Sequence, residues 1–153
     1  MLLSTEIRQA LNHLIQTCKD GQEGFLTAAE NVDSEQARRL FSEYSLQRAK
    51  FAGQLQALSH ELGDSSPEYA SSVSGTFHRG WMNLKTAIVG RDVHSILVEC
   101  ERGECAAVSA YEEALTLEFP TYIREILQGH SAVIREAHRR IKALADAGAP
   151  SWM

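Results

Sequence analysis

Four stretches of the chain carry inward positions in an unbroken alternation of four- and three-residue steps, the spacing that keeps one face of an α-helix turned toward a core. The first runs Ile7, Leu11, Leu14, Cys18, Gly21, Phe25, Ala28, Val32, and the second Ala37, Phe41, Tyr44, Arg48, Phe51, Leu55, Leu58, Leu62. The third is Val93, Leu97, Cys100, Glu104, Ala107, Tyr111, Ala114, and the fourth Ile123, Leu127, His130, Ile134, Ala137, Ile141, Leu144. Helices of this length can bury such stripes against one another, which predicts an all-α four-helix bundle. Near the middle of the second and third ladders the inward residue is a charge, Arg48 and Glu104.

Local signals divide the chain. The first helix is expected from about Thr5 to about Val32, with Ser4 or Thr5 as its cap. Asp33 and Gln36 read as a capping box that starts the second helix after a very short turn. That helix is expected to stop at Leu62, where Gly63 supplies a C-terminal signal. A Ser-rich stretch follows, in which Ser66-Pro67 can restart a helical turn. A short helix from about Ser74 to Val89 is predicted next, with Phe77, Trp81, Leu84 and Ile88 on one face. Asp92 caps a third long helix reaching about Leu117, Phe119-Pro120 makes a corner, and the last helix runs from about Thr121 to Ala147. The expected organisation is one domain over residues 1–147 with a loose tail over 148–153, although Trp152 offers a docking group. Two antiparallel hairpins joined by one long crossover with a short helix in it is ferritin-like connectivity.

Composition narrows the function classes. The 153 residues carry a net charge of −5, which argues against a general nucleic-acid surface. Arg135, Arg139 and Arg140 are interleaved with Glu136 and read as a solvated helix face. No segment approaches the ~20 apolar residues of a membrane span, and the N-terminus lacks the pattern of a signal peptide, so a cytoplasmic location is the expectation. The three cysteines, Cys18, Cys100 and Cys105, make neither a CxxC pair nor an even disulfide set. Cys18 and Cys100 lie on inward ladders as small core groups, and Cys105 lies one step off.

Counting from each hairpin turn places side chains in layers, because the rise per residue is constant. Cys18, Arg48, Glu104 and Ile134 are each about fifteen residues from a turn and are expected to form one central layer. Gly21, Tyr44, Ala107 and His130 are expected to form the next. A buried guanidinium needs a partner. Glu104 is the acid on a ladder position, so an Arg48–Glu104 ion pair is predicted, with Tyr44 or His130 adding a hydrogen bond and Glu101 joining from the flank. The buried polar centre is thus Arg48, Glu104, Tyr44, His130 and Cys18. His13, His60, His78, His94 and His138 are expected at the surface.

The stretches KDGQEGF (19–25), LQRAKFAGQLQALSHELG (46–63), HRGWMNLK (78–85) and ECERGECAAVSAYEEAL (99–115) are similar to a bacterial family of small ferritin-like four-helix proteins without an assigned reaction. The resemblance covers nearly the whole chain and implies a ferritin-like bundle in a soluble bacterial protein. Di-metal members of the superfamily place a Glu on each of two helices and a Glu-x-x-His on each of the other two. This sequence departs from that pattern. Glu23 and Glu30 should point outward, Glu43 is followed three residues later by Leu46, and Glu125 by Gln128. A guanidinium at the Arg48 position would repel a divalent cation. The expectation is therefore no cofactor and no metal at the centre. The alternative is iron or zinc held by Glu101, Glu104 and His130, as in a redox or metal-storage protein.

Other chemistries lack their motifs. None of the six histidines is followed by the Lys and Gly of a phosphotransfer module, and GxxxxGK[ST] and HExxH are missing. A structural or interaction role is the expectation, with a stress-response element implied by family analogy alone. Gly24, Gly53 and Gly103 sit inside helices at a cost of about 1 kcal/mol each relative to Ala, which suggests close helix approach or a partner groove. Trp81 is expected in the core. Trp81 and Met82 also mark the crossover-helix face as a route to self-association or to a protein partner.

Overall fold

The computed structural model describes residues 5–63, 80–90 and 92–148. Among these residues it is all-helical, with α1 (Thr5–Glu30), α2 (Glu35–Glu61), a short α3 (Leu84–Val89), α4 (Val93–Ala114) and α5 (Thr121–Asp146). The Ser66-Pro67 turn, the part of the crossover before Gly80, including Phe77 and His78, and Trp152 lie outside the described residues.

The helix boundaries follow local chemistry, with two corrections. The cap of α2 is Ser34, not Asp33. Its hydroxyl accepts from the Ala37 N–H at 3.2 Å, which satisfies one of the donors a helix start leaves open. In the crossover, residues 80–83 form a turn and α3 begins only at Leu84. Gly80 takes a positive φ of 96°, which no helix accommodates, and stands so close to the Arg102 carbonyl that a Cβ would lie 2.6 Å from it. α1 and α4 stop at Glu30 and Ala114, two and three residues short of the expected Val32 and Leu117, and the remaining signals act as read. Gly63 follows α2 with φ 103°. Asp92 caps α4 by accepting from the His94 N–H and the Ser95 hydroxyl. Arg124 in the first turn of α5 donates to the carbonyls of Leu115 and Leu117, which ties the corner to the end of α4.

The side chains that meet across helices set their directions. Phe25 of α1 packs against Tyr44 of α2, and Cys18 shares a cluster with Phe51, so α1 and α2 are antiparallel. Ile96 and Leu97 share a cluster with Ile141, and Ala114 with Ile123, so α4 and α5 are antiparallel as well. Cys18 meets Tyr111, while Gly24 and Gly103 face the same indole, so α1 and α4 also run in opposite directions. Hence α2 and α4 run the same way, and the α1–α2 turn and the α4–α5 corner lie at opposite ends of the core.

That geometry overturns the second expected layer. Distances counted from the two turns coincide only midway, because the turns are at opposite ends. Tyr44 lies in the cluster of Phe25, Trp81 and Cys100, whereas His130 stacks on Phe51 with ring centroids 3.9 Å apart. The two residues expected side by side fall on opposite sides of the centre.

The core reaches beyond the ladders. Ile15, Asp20, Gly24 and Glu99 are buried although they stand off the inward rows. A single stripe suffices for a helix with neighbours on one side. α1 has α2, α4 and α3 around it, and α3 also covers a flank of α4.

Candidate functional site, a buried ion pair and its polar surroundings

Arg48 projects from α2 and Glu104 from α4, 1% and 0% exposed. Nη1 of Arg48 donates to Oε1 of Glu104, and Nη2 donates to Oε2 at 2.6 Å, so the guanidinium fork meets both carboxylate oxygens. Nε donates to Gln47 Oε1 at 3.1 Å. Gly21 makes room on α1, since a Cβ there would stand 3.3 Å from Arg48 Cγ. The Phe25 ring offers its face to the guanidinium, with Cζ 5.5 Å from the centroid. Burial works against the charge of Arg48, but the adjacent Glu104 charge and its hydrogen bonds outweigh burial and hold the pKa above its ordinary value.

The flanking groups differ from expectation. Among the described residues, neither Tyr44 nor His130 hydrogen-bonds to the pair. His130 instead receives Tyr111 at Nδ1 (2.9 Å) and faces Gln54 Oε1 from Nε2 (2.8 Å). Cys18 Sγ lies 3.3 Å from the Tyr111 hydroxyl. With the Gln54 carbonyl facing the ring, Nε2 carries the proton and Nδ1 accepts from Tyr111, which leaves Tyr111 to accept from the Cys18 thiol. A directed chain therefore runs from the core thiol to the exposed Gln54. Burial first, and the Arg48 charge second, lower His130 to about 4. Burial pushes the Cys18 thiol up to about 11 against the pull of Tyr111 and Arg48, so it is no thiolate at neutral pH. Tyr111 and Cys100 are also raised by burial.

Glu101 does not join the pair. It faces His138, with Oε2 3.8 Å from Nε2, and His138 is half-buried and not at the surface as expected. His13, His60 and His94 are exposed, as is Cys105. Glu101, Glu104 and His130 thus turn to three different partners and make no ligand set. Among the described residues no group of three or more His, Cys, Asp or Glu side chains is placed to hold a metal ion.

Trp81 occupies the other flank of the centre. It is buried, meets Phe25 edge-on at 4.9 Å, and lies in a slot whose walls are glycines. A Cβ on Gly24 would stand 2.4 Å from the indole and one on Gly103 2.1 Å, so two of the costly helical glycines serve the close approach of this ring. Gly53 has nothing within 4 Å of a Cβ, and nothing in the structure explains its choice.

Sequence reasoning did not single out Tyr111, Gln54 or Glu99. Tyr111 stood on the inward ladder two turns past Glu104, which was signal enough. Glu99 gave no such sign, because its burial depends on α3.

Residues 6–117 match a domain of unknown function, DUF2383. The chain belongs to that family. The matched region of this DUF2383 protein holds both members of the ion pair, Cys18, Tyr111 and the Trp81 slot. It stops before α5, whose Ile123, Leu127 and Ile134 complete the same core and whose His130 extends the hydrogen-bonded chain. No curated protein matches the chain. No described helix of this DUF2383 protein is long and apolar enough to cross a membrane.

Proposed function

We propose that this chain is a ferritin-like four-helix bundle, of a bacterial and cytoplasmic kind, whose centre is an ion pair in place of a di-metal site, and that it acts as a structural or interaction protein. The observation that carries the reading is the two-pronged, fully buried Arg48–Glu104 contact between α2 and α4. A guanidinium keeps its proton at any working pH and brings a fixed positive charge to the place where a bridging cation would sit. The connectivity supports the same reading, with two hairpins, a long crossover, and α2 parallel to α4. Such a pair contributes little net stability over an apolar core of equal volume, so its use is to fix which helices meet and in what register. Residues 1–147 form the domain in this reading, with a tail after it.

An interaction role rests on the outer face of the crossover, where Met82 and Val89 are 74% and 84% exposed. This face is the proposed route to a second copy or to another protein, and family analogy adds a stress-response setting.

The test is elemental mass spectrometry on protein purified without chelator or affinity-tag metal, alongside Glu104→Ala. The expected result is no stoichiometric metal and a marked loss of thermal stability in the variant. Near-stoichiometric iron, zinc or manganese that disappears in Glu104→Ala would overturn the reading.

A further inference from the structure

A cleft of about 430 Å³ opens between α3 and α4, away from the ion pair. Its size is in the range of small-molecule sites. Its wall includes Asn83, Thr86, Ala87, Ser95, Val98 and Glu99. Glu99 is 5% exposed, and its two oxygens are treated differently. Oε1 accepts from Arg102 Nη1 at 3.0 Å, and that arginine is itself more than half exposed. Oε2 is buried and has no hydrogen-bond partner among the described residues. A carboxylate oxygen left unsatisfied in this way is costly, and a donor that reaches it is rewarded.

The rest of the cleft has the same polarity. Ser95 spends its proton on Asp92 Oδ2, so its hydroxyl has lone pairs to offer. Asn83 stands at the cap position of α3 but makes no side-chain cap bond, so its amide can turn its carbonyl to a donor. Asp92 occupies the His94 N–H at the start of α4. The cleft therefore offers several acceptors, has the His94 ring on its wall, holds a buried carboxylate that Arg102 engages through one oxygen only, and has Ala87 and Val98 as apolar wall. The ligand that fits these features is rich in N–H donors, singly positive and short-chained. A divalent metal fits them poorly, because one carboxylate is joined by neutral groups and no cluster of three metal-ligating side chains is present among the described residues.

We propose that the α3–α4 cleft binds a small organic monocation, a primary ammonium or guanidinium on a short carbon skeleton, with Glu99 as its counter-ion.

The experiment follows backbone amide shifts by NMR on the full chain. n-Butylammonium and N-propylguanidinium are titrated as free cations, a blocked Gly-Lys-Gly peptide as the protein-borne source of the same group, and butyrate and n-butanol as controls. The expected result is saturable shifts confined to residues 83–99 with the cations, none with the controls, and at least tenfold weaker binding to Glu99→Gln. Tighter binding of the peptide than of the free cations would support the chemistry and assign the ligand to a protein side chain. Thr86→Trp, at an exposed position on the cleft rim, is a second variant that fills the space without touching the core, and it is expected to abolish the shifts. The proposal is overturned if the cations give no saturation, if butanol binds equally well, if Zn²⁺ or Mn²⁺ saturates the same amides and displaces the cations, or if a folded Glu99→Gln or Thr86→Trp binds as the parent does.

Discussion

Toward the α4–α5 corner, the core is closed by side chains of the four long helices and threaded by a hydrogen-bonded chain from Cys18 through Tyr111 and His130 to Gln54. Toward the α1–α2 turn, the same helices leave a slot, and a residue from the crossover fills it with an indole. The first half is specified by polar groups that must find each other. The second is specified by shape, through two glycines cut to one ring. The ion pair sits between them and belongs to neither. The contrast shows how one helical core can be fixed by two unrelated devices, a directional one and a steric one.

The largest effects are expected where the ion pair or the indole slot loses its central group. Glu104→Ala strands a buried guanidinium and is expected to cost about 3–5 kcal/mol in urea unfolding, whereas Arg48→Met combined with Glu104→Leu recovers most of that loss. A double variant as unstable as the single one would contradict the view that the pair serves register. Trp81→Ala empties the slot at the other half, and a loss of similar size, about 3–5 kcal/mol, is expected.

Next in size is the glycine wall. Gly103→Ala drives a methyl into the indole and is expected to cost about 1–3 kcal/mol in the parent. In a Trp81→Ala background the clash is gone, and the same change should stabilise by up to about 1 kcal/mol through helix propensity. Gly53→Ala meets nothing among the described residues, so it should stabilise in either background. Equal responses of Gly53 and Gly103 in a double-mutant cycle would show that the slot does not require glycine.

A smaller change is expected at the polar half. Tyr111→Phe keeps the ring and orphans both His130 Nδ1 and the Cys18 thiol, at about 1–2 kcal/mol. The most gradual effect is that of pH. His130 is held near 4 when folded, against an ordinary value of 6.5, so the unfolded chain binds the extra proton between them. Stability contributed by the neutral imidazole is complete above about 6.5 and is lost as pH falls toward about 4. Urea midpoints at pH 7 and pH 5 should draw closer together in His130→Gln, and an unchanged gap would remove His130 as the source.

The sequence made the long helices legible because their stripes are continuous. It made the ion pair legible because an inward Arg demands an inward acid. The partnership of Tyr44 and His130 was misread for one reason. Layer counting treats both turns as the same end, and the long crossover puts them at opposite ends. Glu99 and Asp20 were invisible for another reason, since periodicity records one buried face and cannot show that a short helix or a third neighbour covers a second. The cap at Ser34 in place of Asp33 turned on which of two adjacent polar residues takes the extended backbone, which spacing alone does not decide.

The placement of one charge on each hairpin has a consequence for assembly. Each hairpin carries a single charge on its inward ladder, Arg48 on one and Glu104 on the other. Two α1–α2 hairpins brought face to face would bury two arginines, and two α4–α5 hairpins would bury two glutamates. On those ladders only the unlike combination pairs opposite charges, so the chain carries in Arg48 and Glu104 a rule about partner choice that disfavours like-with-like swapping between copies and favours each hairpin closing on its own other half.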